Sequence, residues 1–157
     1  MARRRSVTKR VGPVGDSKYS SALVNEFINC IMRCGQKRTA ERILYGAIDI
    51  VAQKTGQEGL SIFKKAVENV RPSLEVKSRR IGGANYQIPI EVAPERKNSL
   101  AIRWIITFSK ERPENGMAEQ LANELIQASK NEGASVRKKI DMHKMAEANK
   151  AFAHFNW

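Results

Sequence analysis

Apolar residues recur at helical spacing along nearly the whole chain, and that spacing changes once. From about residue 19 to residue 70, and again after residue 94, apolar side chains fall three or four positions apart. Between residues 73 and 92 they fall two apart around a glycine pair, the pattern of two short strands joined by a turn. One change of period fixes the fold class to expect. It is mainly α: a bundle of about six helices with one protruding two-stranded β-hairpin.

The first helix is expected over about 19–34. Leu23, Phe27 and Ile31 are spaced by four, Val24 and Ile28 flank them, and Gly35 suits a left-handed stop. A second covers about 38–55 on Ala40, Ile43, Leu44, Ala47, Ile48 and Val51, closed by Gly56. A third covers about 59–70 on Leu60, Phe63, Ala66, Val67 and Val70, with Pro72 biasing Arg71 away from helix. In the hairpin, Leu74, Val76 and Ser78 alternate with Glu75, Lys77 and Arg79. Tyr86, Ile88, Ile90 and Val92 alternate with Gln87, Pro89 and Glu91. Pro89 cannot donate to a ladder, so that strand has a free edge there. A lone ribbon is marginal in water and must pack on the helices or on a partner. A fourth helix lies between Pro94 and Pro113 with Leu100, Ala101, Trp104, Ile105 and Phe108. A fifth runs over about 116–131, with Leu121, Ala122, Leu125 and Ile126. The last starts near Ala134 or Ser135 and carries Val136, Ile140, Met145 and Ala148. The tail from Ala151 to Trp157 is apolar and aromatic for a terminus.

The charge pattern divides the chain further. Residues 1–17 hold Arg3, Arg4, Arg5, Lys9 and Arg10 with no acid before Asp16, and Gly12, Pro13 and Gly15 interrupt any helix. This segment reads as a flexible basic arm, and 18–157 as a single helical domain carrying the hairpin. The formal net charge is +12, of which residues 1–80 hold +10. Such an excess points to a polyanionic partner. No apolar run approaches the roughly 18–20 residues of a membrane span, and the first residues lack the apolar stretch of a secretory signal.

Cys30 and Cys34, four apart, are expected as small apolar residues on one helix face. No second cysteine pair completes a zinc site, and a disulfide framework does not suit a chain of this size without a secretory signal. The phosphate-cradling loop of nucleotide hydrolases and the nucleophile elbow of esterases are both missing from the sequence. His143 and His154 have no nucleophile and orienting carboxylate placed beside them. The chain therefore reads as no enzyme, with no cofactor, no metal site and no small-molecule substrate.

Binding chemistry is more visible. Lys77, Arg79 and Arg80 cluster just before the glycine turn. A narrow ribbon with cations near its tip can neutralise phosphates with little backbone entropy left to lose, and arginine adds a planar fork. An edge strand guarded by charge explains one or two lysines, and three cations at a tip less well. Arg71, Arg96 and Lys97 flank the hairpin's bases, and Lys37 and Arg38 form a third patch. In the last helix, Arg137, Lys138, Lys139, Lys144 and Lys150 read equally well as a solvated face. Aromatics are 6% of the chain, and Tyr86 alone sits beside the basic turn. Backbone and shape recognition of RNA is indicated, rather than base stacking. A DNA-binding helical module and a peripheral membrane protein are the alternatives.

The segment SLEVKSRRIGGANYQIPIEV, Ser73 to Val92, closely resembles the hairpin of the bacterial family of small-subunit ribosomal protein seven. The ending HKMAEANKAFAHFNW, His143 to Trp157, resembles that family too. So do the opening arginines, the run Glu68 to Pro72 and the run Leu100 to Trp104. The resemblance implies a cytoplasmic, ribosomal protein that binds the 3′ major domain of small-subunit ribosomal RNA and nucleates assembly of the subunit head. It implies a place at the subunit interface near the decoding centre, the exit-site transfer RNA and the messenger path. Ribosomal proteins nine, eleven and thirteen of the same subunit would be neighbours. The RNA-facing residues it implies are Arg3, Arg4, Arg5, Arg10, Lys37, Arg38, Lys77, Arg79, Arg80, Arg96 and Lys97, and the charge pattern adds Lys9 and Arg71. Gly82, Gly83, Ala84, Asn85 and Tyr86 would form the tip nearest transfer RNA, with Lys144 and Lys150 near the transfer and messenger RNAs. The chain departs from the family pattern at Gln36, Ala93 and Asn156.

Overall fold

The computed structural model describes residues 15–155, so the arm residues Arg3, Arg4, Arg5, Lys9 and Arg10 lie outside the described residues. Six helices follow in order: α1 Ala22–Ile31, α2 Lys37–Thr55, α3 Gly59–Val70, α4 Pro94–Lys110, α5 Met117–Ser129 and α6 Ala134–Ala148. The hairpin, β1 Leu74–Ile81 and β2 Ala84–Glu91, interrupts them after α3. A short 3-10 helix, Lys150–Phe155, follows α6.

Helix α1 is shorter than its apolar pattern suggests, for local reasons at both ends. Before it, the Asp16 carboxylate accepts the backbone N–H groups of Lys18 (3.1 Å) and Tyr19 (3.2 Å), and Ser20 takes φ +49. This turn competes with helix for the same backbone groups. After it, Met32 is extended and Cys34 and Gly35 take φ +51 and +73. Cys34 thus leaves the helix face it was expected to share with Cys30, and both thiols are exposed. Gly56 closes α2 in the left-handed conformation.

Helix α5 lies at the centre, packed on α2, α3 and α4. Its Leu121, Ala122, Leu125 and Ala128 are buried together with Leu44, Ala47 and Val51 of α2, Phe63 and Val67 of α3, and Ile102 and Ile105 of α4. Phe27 of α1 meets Phe63 edge to face at 5.3 Å. Each large side chain removed from water here contributes about 1.5–3 kcal/mol. Gly59 opens α3 where a Cβ would stand 2.4 Å from the Ile48 carbonyl oxygen, so the α2–α3 corner closes only on glycine.

Helix α6 departs from its sequence stripe. Ser135, Val136 and Ala146 are buried, whereas Ile140 and Met145 are 44% and 38% exposed. The helix packs through the face that carries Ser135, Val136, Lys139, His143 and Ala146, and Ile140 and Met145 fall outside that face. At its start, Ser135 donates both its N–H (3.0 Å) and its hydroxyl (2.5 Å) to the buried Glu124 of α5. Further along, it packs on the hairpin and the 3-10 helix.

Candidate nucleic-acid interface

The ribbon pairs antiparallel from Leu74 opposite Glu91 to Ile81 opposite Ala84. A two-residue turn closes it on Gly82 (φ +57) and Gly83 (φ +90), conformations that glycine adopts without steric cost. The register places Glu75, Lys77 and Arg79 directly opposite Ile90, Ile88 and Tyr86. Opposed residues share a face, so the apolar positions of the two strands fall on opposite sides of the ribbon. Ile88 is wholly buried and Glu75 is 7% exposed, while Lys77, Ser78, Arg79, Arg80 and the tip residues Gly82, Gly83, Ala84 and Asn85 are exposed. One end of the ribbon is therefore anchored and the other presents cations.

Tyr86 takes no open position at that tip. Its ring lies 5.3 Å from that of Phe152, which joins β2 to the 3-10 helix. This contact brings the 3-10 helix beside the hairpin, where Lys150 lines a cleft with Leu74, Pro89, Glu91 and His143. Lys144 and Lys150 are exposed.

At the hairpin base, acids hold several of the expected cations. Both Glu75 oxygens accept the Arg96 Nε–H, at 2.8 and 3.0 Å, and Lys77 Nζ stands 3.5 Å from the same carboxylate. Arg71 pairs with Glu68. Arg71, Lys97, Lys139 and His143 line one cleft of about 430 Å³ with Glu68 and Ser73. His143 Nε2 accepts the Ser73 N–H at 3.1 Å, so the imidazole is neutral in this bond. Burial, and then the nearby Lys139 charge, hold its pKa below the usual 6.5. Lys139 also donates to the Asn69 carbonyl at 2.8 Å. Lys139 and His143 are i, i+4 on α6, a spacing that could have flagged them as a pair facing one neighbour.

Lys37 and Arg38 form a separate patch. They begin α2, which packs on α1, α3 and α5 and makes no packing contact with the hairpin among the described residues. Lys37 lies 3.9 Å from Glu41 in an exposed pair of little energetic weight. Arg33 and Arg42 are exposed nearby and extend this patch beyond the residues chosen from sequence. Among the described residues, no His, Cys, Asp and Glu group could hold a metal ion, and no helix is long and apolar enough to cross a membrane.

The arrangement of helical bundle, basic ribbon and docked 3-10 helix can be compared with known proteins. The family described as ribosomal protein S7p/S5e matches residues 2–150. The chain belongs to this family. Relatives named small ribosomal subunit protein uS7 match along the full length of both chains. They are 57% identical in Syntrophotalea carbinolica, 53% in Magnetococcus marinus and 50% in Aliivibrio salmonicida. Membership makes this a ribosomal protein of the small subunit, an RNA-binding component of translation and not an enzyme.

Proposed function

We propose that the chain binds the 3′ major domain of small-subunit ribosomal RNA directly and nucleates assembly of the subunit head. The hairpin enters the RNA with Lys77, Arg79 and Arg80. Arg71, Arg96 and Lys97 meet phosphates at its base, and Lys37 and Arg38 make a second, separate contact. The arm, with Arg3, Arg4, Arg5, Lys9 and Arg10, adds a third. The tip at Gly82, Gly83, Ala84, Asn85 and Tyr86 approaches the exit-site transfer RNA, and Lys144 and Lys150 face the transfer and messenger RNAs. Ribosomal proteins nine, eleven and thirteen flank it. The supporting observation is the ribbon itself: anchored by wholly buried Ile88, with exposed cations from Lys77 to its turn.

The test is titration of a 3′ major-domain RNA fragment at several salt concentrations. Replacing Lys77, Arg79 and Arg80 by alanine should weaken binding and reduce the magnitude of the log–log salt slope by about two to three, since each lost phosphate contact removes about 0.7–0.9. Unchanged affinity would refute the hairpin's role. Duplex DNA at equal concentration should fail to displace the RNA, and displacement would favour a DNA-binding module.

A further inference from the structure

We propose that Glu75 is a positioning residue of the RNA surface, holding Arg96 and Lys77 in register for phosphates without touching RNA itself. The inference rests on the RNA reading above. Its starting point is an oddity of charge. A carboxylate stands in the most basic strand of the chain, where a nearby phosphate would repel it.

Glu75 is 7% exposed, and a carboxylate so removed from water persists only when it is paired. Its partners come from two different elements. Lys77 is two residues along the same strand, and Arg96 is in the first turn of α4. A cation in the first turn of a helix opposes the helix dipole, so Arg96 stands where its charge is disfavoured unless an acid faces it. Glu75 supplies that acid. Among the described residues, the hairpin's packing contacts run to α6 and the 3-10 helix. The Glu75–Arg96 pair thus adds a side-chain link from the ribbon to α4.

The geometry of the link matters most. Both Glu75 oxygens engage Arg96 through Nε alone. Among the described residues the two Nη groups keep their four N–H donors, and the side chain is 52% exposed. An arginine held at Nε presents a pre-aligned fork for a phosphate, with less rotamer freedom to lose on binding. Lys77, 53% exposed, is held 3.5 Å from the same carboxylate. The carboxylate itself is fixed by the strand, because the neighbouring pair on its face, Lys77 opposite Ile88, is anchored by the buried isoleucine.

The proposal differs in sign from simple charge counting. If Glu75 only diluted the positive field, Glu75→Gln would raise the local charge and tighten RNA binding. If it positions, the same change loosens both cations and weakens binding. The experiment is titration of the full chain with the 3′ major-domain RNA fragment, comparing wild type, Glu75→Gln, Arg96→Lys, the Lys77→Ala/Arg96→Ala double variant, and that double variant carrying Glu75→Gln. Expected are about three- to tenfold weaker binding for Glu75→Gln, the range of one net hydrogen bond, and no further weakening when it is added to the double variant. Arg96→Lys keeps the charge but lacks the fork, so affinity should fall by a similar factor with the salt slope unchanged. Arg96 is half exposed, so this variant can still overturn the proposal if Glu75→Gln unfolds. Binding by Glu75→Gln equal to or tighter than wild type overturns the proposal, as does wild-type binding by Arg96→Lys. Wild-type binding by the Lys77→Ala/Arg96→Ala variant overturns the RNA surface at the hairpin base as a whole, a distinguishable failure.

Discussion

Glu124→Ala tests what holds the last helix in place. Glu124 is 1% exposed and saturated. One oxygen accepts the Ser135 N–H at 3.0 Å and the Ser135 hydroxyl at 2.5 Å. The other accepts Arg112 Nε at 2.8 Å and lies 2.7 Å from Nη2. Truncation leaves two donors at a fully buried serine without their acceptor, at about 1–3 kcal/mol each. Arg112 suffers less, because it keeps Gln127 (2.5 Å) and Glu114 (3.4 Å) and its side chain is 16% exposed. The two donors sum to about 2–6 kcal/mol, which brackets the roughly 3–5 kcal/mol for breaking a buried charge pair from one side. Glu124→Gln retains an acceptor for Ser135 and should cost about 1–2 kcal/mol. Urea unfolding at neutral pH, with slopes checked for equality, measures both variants. A loss below about 1 kcal/mol for Glu124→Ala would mean that apolar packing, not this network, seats α6. Equal losses for the two variants would refute the donor-by-donor reasoning.

Two further predictions concern pH. Burial pushes the Asp16 carboxyl up, but the Tyr45 hydroxyl (2.5 Å) and the N–H groups of Tyr19 and Lys18 outweigh it and hold its pKa below the usual 3.8. Asp16 therefore contributes stability above its unfolded pKa and loses it as pH falls through the lower folded value. Tyr45→Phe should cost about 1 kcal/mol at pH 7, and this cost should shrink in thermal unfolding at strongly acid pH; a pH-independent cost would refute the bond to the ionised form. His143, held below 6.5 by burial and by Lys139, likewise stabilises in its neutral form. Its contribution is present above the unfolded pKa and is lost as pH falls through the folded one. Its NMR titration midpoint should lie below 6.5 and move up in Lys139→Gln; an unmoved midpoint would remove Lys139 from the account.

Much of the fold was readable because its causes are local. Gly56 and Pro113 bound helices where the backbone must turn, and Gly82 and Gly83 set a two-residue hairpin. The helix over 59–70 was placed to the residue by its apolar spacing and by Pro72. The candidate site was readable as a set of basic positions but not as a geometry. Arg71, Lys77 and Arg96 looked alike in sequence, yet each is held by an acid. Tyr86 looked like an open aromatic at the tip, yet it packs on Phe152. Ile140 and Met145 looked like core, yet α6 packs through its Val136, Lys139, His143 and Ala146 face and leaves both exposed.

By itself, then, the sequence determined the order of helices, the single ribbon, the turn at its tip and the concentration of positive charge in residues 1–80. Each depends on residues within a few positions of one another, and periodicity reports such relations directly. Only the tertiary structure decided which face of the ribbon is buried, which cations are bound by carboxylates and where the 3-10 helix docks. Those outcomes rest on pairs distant along the chain: Asp16 with Tyr45, Glu75 with Arg96, and Ser73 with His143. An ion pair or hydrogen bond depends on distance in space, and spacing along one element carries no record of what another element brings to meet it.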